Sequence, residues 1–164
     1  MSLKLSVRRQ LTRSVNIERD RESLEFTEFY VPTSRALRTI DQLIKVLEEG
    51  SRDRAWSLIG PYGSGKSSFA LFLSRLLNQD LSLSQPAVSL LKTASPELAA
   101  ALISQEPRFL VVSVVGSPEP LGLKLIRALL TQAESFFNSR RGRNPKVLQE
   151  LHNLVESKAA SHSE

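Results

Sequence analysis

The chain has no cysteine and only two histidines in 164 residues. Without cysteine there are no disulfides, no thiolate metal sites and no cysteine nucleophile, and the composition suits a reducing cytoplasm. His152 and His162 are too few for a metal site built on imidazoles. Long apolar runs are also missing. The longest, Phe109 to Val115, is interrupted by Ser113 and is far too short to span a bilayer. Met1 to Arg9 lacks the apolar stretch of a secretory signal. Internal repeats and low-complexity segments are absent as well. A soluble, intracellular protein with no membrane partner is expected.

What is present describes a globular chain. Hydrophobic residues make up 41% and charged residues 24%, enough to bury a real core in one domain. The net charge of +5, with a pI near 9.9, permits contact with polyanions without demanding it. The positive charge is spread over Arg8/Arg9/Arg13, Arg35/Arg38, Arg52/Arg54 and Arg140/Arg141/Arg143/Lys146. A solvated basic surface and a nucleic-acid contact are both compatible with that spread.

The strongest local signal is Gly60-Pro61-Tyr62-Gly63-Ser64-Gly65-Lys66-Ser67, which fits G-x-x-x-x-G-K-[ST] at every fixed position. Trp56-Ser57-Leu58-Ile59 reads as a short apolar strand running into the glycines. Phe69, Phe72, Leu73, Leu76 and Leu77 then recur at helical spacing and predict one helix face after them. Strand, glycine-rich turn and helix, in that order, are the context of a phosphate-binding loop. The chemistry explains the spacing. A helix N-terminus offers unpaired N–H groups and partial positive charge to an anion. Gly60, Gly63 and Gly65 let the backbone curl so that successive N–H groups converge. Lys66 is placed to reach the β- and γ-phosphates, and Ser67 to offer its hydroxyl to Mg²⁺. The alternative is a glycine-rich turn that starts a helix and binds nothing.

Around this loop the chain reads in order. Leu3, Leu5 and Val7 alternate with polar residues, residues 8 to 23 read as loop, and Leu24 to Val31 reads as a β-prone segment stopped by Pro32. Thr33 or Ser34 caps a helix carrying Leu37, Ile40, Leu43, Ile44 and Leu47, which Gly50 ends. Residues 79 to 107 are an insertion of short helices: a turn or two over Pro86 to Lys92, then a helix opened by Ser95-Pro96-Glu97. Arg108 to Val115 is apolar and β-branched, as a strand buried on both faces is. Ser117-Pro118-Glu119 caps a helix through Leu125, Ile126, Leu129, Ala133 and Phe136. Asn138 to Lys146 is a basic turn, Asn144-Pro145 caps a last helix through Val147, Leu148, Leu151, Leu154 and Val155, and from Ser157 the tail is expected to fray. Strand, loop, helix, inserted helices, strand, helix is an α/β pattern with parallel strands and crossover helices.

The nine residues Gly60-Pro61-Tyr62-Gly63-Ser64-Gly65-Lys66-Ser67-Ser68 resemble the Walker A segment of the AAA+/STAND-type branch of P-loop NTPases. These are ATPases of large multidomain machines, some in bacterial anti-phage and restriction systems. Tyr30-Val31-Pro32-Thr33 and the helix at 34 to 49 resemble the lead-in of that branch, which packs near the adenine. The resemblance covers about residues 30 to 130. It implies a P-loop NTPase-type parallel sheet with flanking helices, and ATP with Mg²⁺ as cofactors. By position it implies that Gly63, Ser64, Gly65 and Lys66 hold the β- and γ-phosphates, Ser67 holds Mg²⁺ and Ser68 touches the α-phosphate.

The chain departs from that branch after the loop. A Walker B strand ends in an acid that completes the Mg²⁺ shell and polarises water. Here the apolar strand ends Val115-Gly116-Ser117, and Glu119 reads as a first-turn helix residue. No catalytic residue, sensor or arginine finger is assignable. The expectation is an incomplete domain: a lead-in over 1–31, a partial NTPase core over 32–138, and a basic turn, helix and tail over 139–164. It would bind ATP as the N-terminal part of a larger ATPase, with a missing C-terminal segment or neighbouring subunits as partners. Two other classes stay open. One is a small P-loop phosphotransferase with Arg140, Arg141 and Arg143 as its lid. The other is a DNA-contacting module using the basic turn.

Overall fold

The computed structural model describes residues 15–21, 23, 25–49, 55–78, 80–104, 109–139 and 146–160. Eight helices occur among them: α1 (Ile17–Asp20), α2 (Glu25–Phe29), α3 (Ser34–Glu49), α4 (Lys66–Leu76), α5 (Leu81–Ala94), α6 (Pro96–Ser104), α7 (Leu121–Ser139) and α8 (Lys146–Ala160). None among the described residues is long and apolar enough to cross a membrane.

The expected parallel sheet with flanking helices is not there. Among the described residues the only trace of a ladder is a parallel bridge between Asn78 and Phe109, with Phe109 N–H donating to the Leu77 carbonyl at 3.2 Å. Trp56 to Ile59 has no regular structure and is exposed throughout, Ile59 by 93%. Leu110 to Val115 is likewise irregular, although residues 111–115 are half-buried. An extended segment satisfies its backbone groups only through neighbours. Neither segment has a partner strand among the described residues, so β-branched composition alone forms no sheet. Arg108 and the Leu3/Leu5/Val7 alternation lie outside the described residues.

Two further corrections fall upstream. Within the stretch expected to be loop, Asn16 caps α1 by accepting from the N–H groups of Glu18 and Arg19, both at 3.0 Å. The β-prone stretch after it is helical over Glu25–Phe29. Phe26 and Tyr30 stand four positions apart, the spacing of one helix face. Both line a crevice beside α4, and Tyr30 stacks on Phe72 with ring centroids 4.4 Å apart.

The main core is helical on all sides. It joins Ala36, Ile40 and Ile44 of α3, Phe69, Phe72 and Leu76 of α4, Ala87 and Leu91 of α5, and Ala99 and Leu102 of α6. Two of the expected caps hold, whereas the one at Ser117-Pro118-Glu119 does not, since α7 starts at Leu121 with the Pro120 carbonyl accepting from Lys124 N–H at 3.1 Å. Thr33 Oγ1 accepts from Ala36 N–H at 3.3 Å, and the Ser95 carbonyl accepts from Ala99 N–H at 3.1 Å with Pro96 at the first helical position. The insertion's first helix is longer than a turn or two. α5 runs through Pro86, which forfeits one backbone bond, because Ala87 and Leu91 are both fully buried beyond it.

A second, smaller core joins Leu130 and Ala133 of α7 to Leu148 of α8, with Phe137, Leu151 and Val155 against them. The buried apolar residues of α7 are Leu123, Leu130 and Ala133; of the expected stripe Ala133 is buried, whereas Leu125 and Leu129 are 46% and 37% exposed. α8 continues to Ala160, past the expected fraying point. Across this hairpin His152 Nε2 lies 2.9 Å from Glu134 Oε1.

Asp80 caps α5, accepting from Ser82 N–H at 2.9 Å and from Ser82 Oγ at 2.7 Å. The Ser82 hydroxyl, then its amide, hold this carboxyl below the ordinary carboxylate range. Its contribution is present above the unfolded-state pKa and is lost as pH falls through the lower folded value. Asp80→Ala is expected to cost about 1 kcal/mol near neutrality. Denaturant melts should show that penalty shrinking in acid, and a penalty independent of pH would show that the charge plays no part.

Candidate phosphate-binding loop

α4 grows directly out of the loop. Gly63 and Gly65 have φ of +78° and +81°, a left-handed conformation that costs L side chains about 1–2 kcal/mol. A Cβ at either position would meet no atom within 4 Å, so conformation rather than crowding selects glycine here. Ser64 N–H reaches the Pro61 carbonyl at 3.4 Å and closes the turn.

Gly65 is the N-cap of α4 and provides no side-chain cap. The first intrahelical bond is Phe69 N–H to the Gly65 carbonyl at 2.9 Å. The amides of Lys66, Ser67 and Ser68 therefore stand open at the positive end of an 11-residue helix. Gly60 through Gly65 and Ser67 are exposed, while Lys66 and Ser68 are half-buried. Lys66 folds back on the loop, its Nζ donating to the carbonyls of Gly60 at 2.9 Å and Pro61 at 2.7 Å. An ammonium has three N–H donors, so one remains for an arriving anion.

All nine sequence-predicted residues, Gly60 to Ser68, thus share one loop and the first turn after it. Their donors are amides, hydroxyls and an ammonium, with no carboxylate among them, which fits a polyphosphate. Ser67 offers a cation one oxygen, and Mg²⁺ ordinarily draws most of its remaining ligands from phosphates and water. Among the described residues no group of three or more His, Asp or Glu gathers as a metal cage.

Other sequence candidates sit elsewhere. Glu119 lies just before α7 and pairs with Arg127. Arg140, Arg141 and Arg143 lie outside the described residues, and Lys146 opens α8 as an exposed residue. Sequence reasoning missed Arg75, buried at 2% exposure in the last turn of α4. The available signal was a charge three residues after Phe72 and one before Leu76, on the apolar face itself. Its Nη2 donates to the Asp20 carbonyl at 2.9 Å and to that of Ser23, which fastens α4 to the end of α1. Burial also acts on Tyr30, whose phenol is pushed up to about 12.

Comparison of the chain with protein-family models, with curated proteins and with solved structures gave no match.

Proposed function

We propose that this chain binds a nucleoside triphosphate, ATP, with Mg²⁺ through the loop Gly60 to Ser68. The observation that carries the reading is the uncapped N-terminus of α4, entered through two left-handed glycines and overlaid by the Lys66 ammonium. Such a terminus is an anion site by construction, since its open amides and the helix dipole both favour negative charge. In this reading the amides of Gly63 to Lys66 and the Lys66 Nζ hold the β- and γ-phosphates. The Ser67 hydroxyl faces the cation, and Ser68 lies against the α-phosphate. Bound Mg²⁺ would neutralise part of the phosphate charge. The binding unit would act within a larger ATPase, and the cysteine-free composition favours a cytoplasmic setting.

Lys66→Ala is the direct test. It removes a charge-assisted contact of about 1.5–3 kcal/mol, which corresponds to at least a tenfold loss of ATP affinity. Folding should be unaffected, because among the described residues the Lys66 ammonium bonds to carbonyls of the exposed loop and not to the core. Calorimetry with Mg²⁺ present reads the affinity, and a thermal melt checks the fold. Equal affinity in a folded mutant removes the assignment.

A further inference from the structure

Every donor of the loop is of the kind that serves phosphate. The open amides at the start of α4, the Lys66 ammonium and the Ser67 hydroxyl lie within nine consecutive residues. Reading a nucleobase asks for something else: hydrogen-bonding groups matched to its edge, or a walled slot that fits its ring. The described side chains beside the loop are committed elsewhere. Ser68 shares a crevice with Phe26, Thr27, Tyr30 and Phe72, and the free space there is close to that of one water molecule, far less than a purine fills. Tyr30 stacks on Phe72 and packs against the main core. In the segment that leads from it to α3, the Thr33 hydroxyl caps the helix, and exposed Val31 has no polar side-chain atom. On the outer side Ile59 and Tyr62 stand almost fully in solvent and form no slot. An exposed ring such as that of Tyr62 stacks on any base, since every base has a π face.

We infer, on the reading of this loop as a triphosphate site, that its ligand class is the triphosphate chain itself and that the base is left unread. ATP, GTP and inorganic tripolyphosphate, each with Mg²⁺, then bind alike, and adenosine does not bind at the loop. The affinity comes from charge-assisted bonds to phosphate oxygens, which the three anions share and adenosine lacks. The positive end of α4 adds to the same preference, because it acts on charge and not on the identity of a ring.

The test titrates the full chain, with Mg²⁺ present, with ATP, GTP, inorganic tripolyphosphate and adenosine by calorimetry. The three anions are expected within about fivefold of one another in Kd, and adenosine at least about a hundredfold weaker. Lys66→Ala should weaken all three by a similar factor, about tenfold or more, which places them at the same loop. A preference of about tenfold or more for ATP over GTP or over tripolyphosphate overturns the inference and leaves ATP binding in place. So does a Lys66→Ala effect confined to ATP, or adenosine binding as tightly as ATP. Failure of all three anions to bind overturns the inference together with the nucleotide reading, so the two failures are told apart.

Discussion

Purified chain supplied with Mg²⁺ and saturating ATP is expected to release phosphate far below about 1 s⁻¹, the low end of the ordinary enzyme range. Holding phosphates asks only for amides, an ammonium and a hydroxyl, which the loop carries. Hydrolysis asks also for a carboxylate to orient water and for positive charge delivered as the γ-phosphate departs. An arginine finger alone contributes about 10³–10⁵ in rate. The acid that follows the Phe109 to Val115 segment, Glu119, is engaged in an ion pair with Arg127 of α7. Arg75 shares α4 with the loop but is buried and bonded to the carbonyls of Asp20 and Ser23, so it is not free to reach a phosphate. Steady-state phosphate release is the measurement, with Lys66→Ala as the control for contaminating ATPase. Lys66-dependent turnover near 1 s⁻¹ would show that the chain carries a complete hydrolytic site.

Phe72→Ala should have the largest effect on stability. The ring is 2% exposed, belongs to the main core and stacks on Tyr30. Truncating such a residue removes its transfer free energy and leaves a cavity in the main core beside Tyr30, at a cost of about 3–5 kcal/mol. That is a large share of the ~5–15 kcal/mol by which whole domains are stable. In urea melts the transition of the core that contains Phe72 should show a lower midpoint with an unchanged slope. A loss under about 1 kcal/mol would mean that the ring is not packed as described.

What the sequence discloses follows from how local each signal is. α3, α4 and α6 are legible because long apolar repeats coincide with end signals. Ile40 and Ile44 repeat behind Thr33, Phe69 and Phe72 behind Gly65, and Leu98, Ala101 and Leu102 behind Ser95-Pro96, although there the buried positions are Ala99 and Leu102. The loop is legible for the same reason, since its chemistry lies within nine consecutive residues. Short apolar runs are different. Leu24 to Val31, Trp56 to Ile59 and Phe109 to Val115 share the same residue types, yet the first contains a helix and the others are irregular. Period cannot separate such cases, because the presence or absence of a neighbour decides them. The Arg75 anchor is invisible for a related reason. Its acceptor, the Asp20 carbonyl, lies 55 positions away and bears no side-chain signature.

The separation of the two cores also governs how the molecule comes apart. Leu130, Ala133 and Leu148 form their own cluster, while α1 reaches α7 through Glu18, which accepts from Val115 N–H at 3.3 Å and lies 3.7 Å from Lys124 Nζ. Solvent-accessible polar ties of this kind transmit about 0–1 kcal/mol each, far less than a shared apolar face. The α7–α8 hairpin is then a cooperative unit of its own, free to open while the helices around Phe72 stay closed. Heating would melt two populations in succession, and a single midpoint would describe neither.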